Sequence, residues 1–289
     1  MNTRELLKKV RKVEIKTKGL SKQIFSGEYH SAFKGRGMSF SEVRNYQYGD
    51  DVRNIDWNVT ARTGEPFVKV FEEERELTLM LLVDLSPSAF FGTRSMFKNN
   101  LITELCAVLA FSAAQNNDKV GIILFTDQVE LYMPPKKGKS HILRIIRELI
   151  NFEVTGKTTN LSAPLIYLNN IIKKRAIVFV LSDFLTKGYS EALRIAAKKH
   201  DIIGLHIYDE TEKTLPRAGL IDVEDAETGM SKLIDTSDKR IREAYTQRFD
   251  DHEKYFNQSF QKAKSDVLSI QTDQSYIPAL HQFFKRRMK

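Results

Sequence analysis

Cysteine is nearly absent from this 289-residue chain, and Cys106 stands alone. A single thiol excludes a disulfide framework and any zinc site built on cysteines, and it suits a reducing compartment. No stretch approaches the roughly 20 apolar residues needed to span a bilayer. The most apolar runs, Leu77–Leu85 and Ala176–Leu181, are strand-length. The opening MNTRELLKKVRKVEIKTK lacks the continuous apolar core of a secretory signal, so a cytoplasmic protein is expected. Internal repeats and low-complexity tracts are missing. The six histidines (His30, His141, His200, His206, His252, His281) show no metal-ligand spacing. His206, on an apolar strand, reads as a satisfied core residue, and Cys106, on the inward stripe of a helix, as a packing residue.

Apolar residues make up 42% of the chain and charged residues 28%, an ordinary globular balance. The length suffices to bury a core without staples. The net charge of +8 is concentrated at the start. Residues 1–22 carry Arg4, Lys8, Lys9, Arg11, Lys12, Lys16, Lys18 and Lys22 against Glu5 and Glu14. Leu6, Leu7, Val10 and Val13 recur there at helical spacing, with Thr3 placed to cap, which predicts a basic amphipathic helix. Such a helix either touches an anionic membrane surface or an acidic partner, or packs its apolar face on the body. Nucleic-acid binding is not expected, because neither a motif nor an aromatic platform accompanies the charge.

From residue 77 onward, apolar strands alternate with helices. Strands are predicted over 77–85, 120–126, 129–133 (ending at Pro134 and Pro135), 176–181, 202–208 and 267–272. Helices are predicted over 94–115, 140–152 with Ser140 as cap, 161–173, 189–200, 238–264 and 275–287. A hairpin insertion near 220–236 turns around Glu227-Thr228-Gly229. Continuous apolar strands separated by helices predict an α/β fold with a doubly wound, mostly parallel sheet. Residues 1–76 read as a smaller N-terminal extension, partly stranded, entering the sheet through Phe67–Leu77. Residues 77–289 read as the main domain.

In open parallel sheets ligands bind beyond the carboxyl ends of the strands. After the first long strand comes Asp84-Leu85-Ser86-Pro87-Ser88. One carboxylate and two hydroxyls converging at a turn form an oxygen-only set suited to a hard cation such as magnesium. Alone, the same residues are ordinary strand-end and helix-cap chemistry. Asp183 follows another apolar strand. Thr159 lies in the loop Gly156-Lys157-Thr158-Thr159-Asn160-Leu161, and topology allows all of these to meet at one sheet edge. Gly156-Lys157-Thr158 is not a phosphate-binding loop, since Asn151 stands where that motif needs its first glycine.

Asp84-x-Ser86-x-Ser88 with a distal Thr and a distal Asp resembles the metal-ion-dependent adhesion site of von Willebrand factor A domains. Further stretches are Phe33 to Phe40, Arg44-Asn45-Tyr46, Gly49-Asp50-Asp51-Val52-Arg53-Asn54-Ile55-Asp56-Trp57 and Thr60-Ala61-Arg62. These resemble the hallmark of a bacterial family, domain of unknown function number fifty-eight, and the likeness covers nearly the whole chain. The resemblance implies a Rossmann-like A-type domain with an N-terminal extension. Its members are typically encoded beside MoxR-type AAA+ ATPases and are thought to act with them as adaptors in chaperone-like assembly or maturation. It also implies that Asp84, Ser86, Ser88, Thr159 (or Thr158) and Asp183 hold magnesium, manganese or calcium. The open coordination position would accept a carboxylate from a protein partner.

The expected function is therefore non-enzymatic. Two alternatives are a scaffold with a degenerate metal site and a magnesium-dependent phosphohydrolase with Asp84 as nucleophile. Against the hydrolase, serines stand where a second carboxylate is usual, and no lysine is evidently tied to the site. Arg44, Asp50, Asp51, Arg53, Asp56 and Arg62 form either a partner-binding surface or a charge-paired network locking the extension to the body. Trp57 and Tyr46 among them suggest partial burial.

Overall fold

The computed structural model describes residues 3–20, 26–33, 38–73, 76–91, 97–224 and 229–288. Lys22, residues 35–37, the start of the helix predicted from Arg94, and the hairpin turn at 227–228 lie outside them, as does the side chain of Leu6.

The basic segment is the helix α1 (Thr3–Leu20), followed by α2 (Ser26–Phe33). A hairpin of β1 (Met38–Asn45) and β2 (Phe67–Glu73) then encloses the short helix α3 (Trp57–Thr63). The apolar face of α1 is partly covered, because Val10 is buried against the body and Val13 packs beside it. Tyr29 and Phe33 of α2 are fully buried in the same cluster as the strand residues Leu79 and Phe179. Packing therefore divides the chain differently from a boundary at residue 76: both N-terminal helices belong to the main core, and the hairpin with α3 is the appendage. β2 does not run on into the large sheet but pairs with β1 in a two-stranded sheet of its own.

The large sheet has six strands: β3 (Thr78–Asp84), β4 (Lys119–Phe125), β5 (Val129–Lys136), β6 (Ile177–Ser182), β7 (Asp201–Tyr208) and β10 (Asp266–Gln271). Their spatial order is β10-β7-β6-β3-β4-β5, all parallel except the edge strand β5. The fold is thus α/β with a doubly wound, mostly parallel sheet, as the apolar runs predict. Alternate residues of β3 feed two cores. Leu79, Leu81 and Val83 face α1, α2, α4 (Lys98–Gln115), α5 (Lys139–Asn151) and α10 (Tyr276–Arg287). Met80 and Leu82 face α6 (Ser162–Ile171), α7 (Ser190–Ala197) and α9 (Lys239–Lys262). The remaining elements, α8 (Glu210–Lys213) and the hairpin β8 (Leu220–Glu224) with β9 (Ser231–Asp235), follow β7.

Two local expectations need correction. β5 passes through Pro134 and Pro135 to Lys136 instead of ending there. Its ladder with β4 shifts register at that point, and an edge strand tolerates prolines whose missing N–H groups would face away from a partner. The cap of α5 is Gly138, at φ 101°, and not Ser140.

A buried histidine makes stability pH-dependent. His200 ends the turn before β7, and its Nδ1 accepts the Ala176 N–H at 3.3 Å. Burial, followed by the charges of Lys199 and Arg175, lowers its pKa to about 4. Protonation would turn the acceptor into a second donor facing Ala176. The folded pKa lies below the ordinary histidine value, so this contribution is present near neutrality and is lost as pH falls from about 6.5 toward 4. Urea titrations across that window are expected to show the loss in wild type and a flatter profile in His200→Gln.

Candidate metal centre at the switch point

β3 stands between β4 and β6, and the strand order reverses between β3 and β6. The carboxyl ends of those two strands therefore open onto the crevice where doubly wound sheets bind ligands. Asp84 ends β3, and Asp183 follows β6 directly.

Asp84 is almost completely buried. Its Oδ1 accepts the Ser86 N–H at 2.9 Å, and its Oδ2 accepts the Ser182 hydroxyl at 2.6 Å. The Ser86 and Ser88 hydroxyls lie 3.0 Å apart, and Ser88 also hydrogen-bonds Asp183. Immediately after Asp183 the chain reverses through Phe184 at φ 51°, in the left-handed region that costs a non-glycine residue about 1–3 kcal/mol. The Phe184 ring is anchored against Phe256 and Phe260, with centroids 4.3 and 5.6 Å away, and its N–H bonds Ser182 Oγ at 3.0 Å. The rear core thus fixes the turn that presents Asp183.

The Thr159 loop reaches the same rim from the side of β4. Glu130 accepts from Thr126 Oγ1, Thr155 Oγ1 and the Gly156 N–H at 2.7–2.9 Å, while the Asn160 N–H donates to the Thr126 carbonyl at 2.9 Å. Thr186 Oγ1, three residues beyond Asp183, donates to the Thr159 carbonyl at 3.2 Å. Thr159 is half-buried and Thr158 exposed. A Cβ on Gly156 would collide with Thr126 Oγ1 and Asp127 Oδ1. Gly156→Ala is expected to cost about 1–3 kcal/mol by overpacking, read as a lower urea midpoint.

Sequence reasoning missed Lys98. Its side chain is 1% exposed, and its Nζ lies 2.8 Å from Asp183 Oδ2 and 2.5 Å from Glu212 Oε1. Glu212 belongs to α8, where it closes a capping box by accepting the Asp209 N–H at 2.9 Å. A lysine is therefore tied to the Asp183 side of the rim, contrary to expectation, though not to Asp84. Burial works against the charge on Lys98, but Asp183 and Glu212 outweigh it and push the ammonium up to about 12. Burial likewise opposes ionisation of Asp183, and Lys98 with the hydrogen bonds around it outweighs that, holding the carboxyl below the usual range. Asp84 moves the other way, raised by burial and then by the neighbouring Asp183 charge. Among the described residues no lysine, arginine or histidine pairs with Asp84.

The six charged residues of the extension stand elsewhere and pair locally. Arg44 grips Asp50 through two 2.8 Å bonds, and Arg53 pairs with Asp51 two residues away. Asp56 caps α3 through the Asn58 and Val59 N–H groups and faces Lys69. Arg62 is exposed on the last turn of α3. These pairs close within the appendage and do not lock it to the body. Trp57 is 70% exposed, contrary to the partial burial suggested by its charged neighbours. Charge reversal at Arg53, itself 87% exposed, is accordingly expected to leave the melting temperature unchanged.

The profile of the family described as "Protein of unknown function DUF58" matches residues 42–255. The chain belongs to the DUF58 family. Uncharacterized protein Rv1480 of Mycobacterium tuberculosis is 26% identical to this DUF58 chain over 283 residues, covering 97% of it and 89% of the relative. Uncharacterized protein YeaD of Bacillus subtilis is 28% identical over 109 residues, 38% of this chain and 25% of that one. Among solved structures, an aerotolerance-related membrane protein of Bacteroides fragilis aligns with 73% of this chain and 98% of its own at 14% identity and TM-score 0.49. The SpRpn10 VWA domain aligns with 72% of this chain and 95% of its own at 15% identity and TM-score 0.37. No helix among the described residues is long and apolar enough to cross a membrane.

Proposed function

We propose that this DUF58 protein is a non-enzymatic adaptor that binds a protein partner through a magnesium ion held by Asp84, Ser86, Ser88, Thr159 and Asp183. The observation that carries this reading is a charge imbalance. One ammonium, Lys98, is shared by Asp183 and Glu212 and bonded to both, while Asp84 feels the negative charge of Asp183. Asp84 is left buried without a cation, and an uncompensated buried charge is costly. A divalent ion supplies the missing charge. The donor set is hydroxyl and carboxylate oxygen, which suits magnesium, with manganese and calcium as substitutes. Among the described residues no three His, Cys, Asp or Glu side chains cluster as a metal site. The proposed set relies instead on hydroxyls for three of its five ligands.

Bound there, the ion provides an electrophilic position for a partner's carboxylate. The protein's own part is to fix the serines and aspartates through the Ser182 and Phe184 contacts. A MoxR-type AAA+ ATPase is the partner that the family resemblance suggests, and the exposed Tyr48, Val52 and Trp57 beside Arg53 and Arg62 offer it a surface. The basic face of α1 offers a second contact, to an anionic membrane. Affinity purification with and without chelator tests the reading: partners retained with magnesium and released by EDTA support it, and capture indifferent to EDTA contradicts it.

Lys98 favours one competing reading, a scaffold whose site is permanently filled by the ammonium. Isothermal titration separates the two, because the scaffold takes up no magnesium. A phosphatase screen with Asp84→Asn as control addresses the hydrolase.

A further inference from the structure

A cavity of about 680 Å³ adjoins the candidate metal centre and shares Ser88 and Glu212 with it. Its far wall is formed by four successive residues of β8, 221–224, with Leu215 and Phe249 among the apolar lining. Successive strand residues point to opposite faces. A wall made of four in a row therefore presents the edge of the strand and not one face. β8 pairs only with β9 among the described residues, so its second edge carries no partner strand there.

The ladder shows which groups that edge offers. The Thr236 N–H donates to the Gly219 carbonyl at 2.8 Å, which makes Gly219 and Thr236 a hydrogen-bonded pair of the antiparallel ladder. Alternation then gives Ile221 and Val223 to β9, and turns the N–H and C=O of Asp222 to the edge that β9 leaves uncovered. The side chains alternate as well: Ile221 and Val223 are half-buried, whereas Asp222 and Glu224 are exposed.

We propose that the partner segment bearing the carboxylate docks as an extended strand on the open edge of β8, with apolar side chains on the Ile221 and Val223 face and basic side chains across from Asp222 and Glu224. This rests on the adaptor reading of the metal centre, which supplies the acidic residue at the end of the segment nearest Ser88. Only backbone matches a row of unpaired strand N–H and C=O groups, and cross-strand charge pairing fixes the sign of the outward side chains.

The probes are two fluorescent octapeptides of alternating valine and lysine, with one aspartate at the N-terminal or the C-terminal end, titrated into the full chain with magnesium. One of them is expected to bind. Asp222→Pro removes the outward N–H and leaves the ladder to β9 intact, and is expected to weaken binding about tenfold. Asp222→Asn, which keeps that N–H, is expected to bind about tenfold more tightly than Asp222→Pro. Binding of neither peptide, or equal affinity for the proline and asparagine variants, overturns the proposal. So does a dimer in sedimentation that Asp222→Pro dissociates, because the edge would then belong to a second copy. EDTA and Asp84→Asn read the metal separately. Binding that survives both but fails with Asp222→Pro contradicts the metal reading and removes the carboxylate from the docked strand. Binding lost with EDTA but indifferent to Asp222→Pro contradicts the strand alone.

Discussion

Lys98→Met is expected to be the most damaging single substitution at the rim. It leaves Asp183 and Glu212 buried without their shared cation, and breaking a buried pair in this way costs about 3–5 kcal/mol. Methionine matches the lysine stem in length, so the loss is electrostatic and not a packing defect. Urea denaturation measures it. The same variant carries a second signature. With the ammonium gone, Asp183 and Glu212 lack their counter-charge, and magnesium is expected to restore part of the lost stability. If magnesium leaves the variant unchanged, the ammonium alone completes the site and the scaffold reading gains.

The second large effect is at Asp84. Asp84→Asn keeps the shape of the side chain and the acceptor for Ser182 or Ser86, while it removes the charge that lacks a cation. Its fold is expected to survive, with an unchanged circular dichroism spectrum. Asp84→Ala removes the acceptor as well and leaves the Ser182 hydroxyl to find another partner. Partner capture in magnesium is expected to fall more than about 100-fold in either variant, beyond the loss typical of outer-shell changes at metal sites. A partner held equally by wild type and Asp84→Ala, with and without chelator, would remove the metal from the mechanism.

Much of this architecture is legible in the sequence, and the illegible parts share a cause. Strands buried on both faces are continuous apolar runs, so β3, β4, β6 and β7 are read directly. Asp84 and Asp183 are conspicuous because each carboxylate ends such a run. Lys98 gives no comparable signal. A lysine at the start of a helix reads as solvated, and its partners lie 85 and 114 residues away in sequence. The helix α1 shows its apolar face in sequence but not what that face meets, and Val10 proves to pack against the body. Trp57 misleads for the opposite reason: an aromatic among paired charges suggests burial, yet the charges are satisfied by neighbours a few residues away and leave the ring in solvent. Pro134 and Pro135 read as a strand end because proline breaks ladders, whereas their place on the outermost strand removes the penalty.

The most direct measurement is the thermal stability of the full chain against magnesium concentration, for wild type and Asp84→Asn in parallel. A site completed by the ion predicts that wild type gains about 2.7 kcal/mol when magnesium reaches about one hundred times its dissociation constant, while the variant gains nothing. A flat wild-type profile, or an equal gain in both proteins, would contradict it.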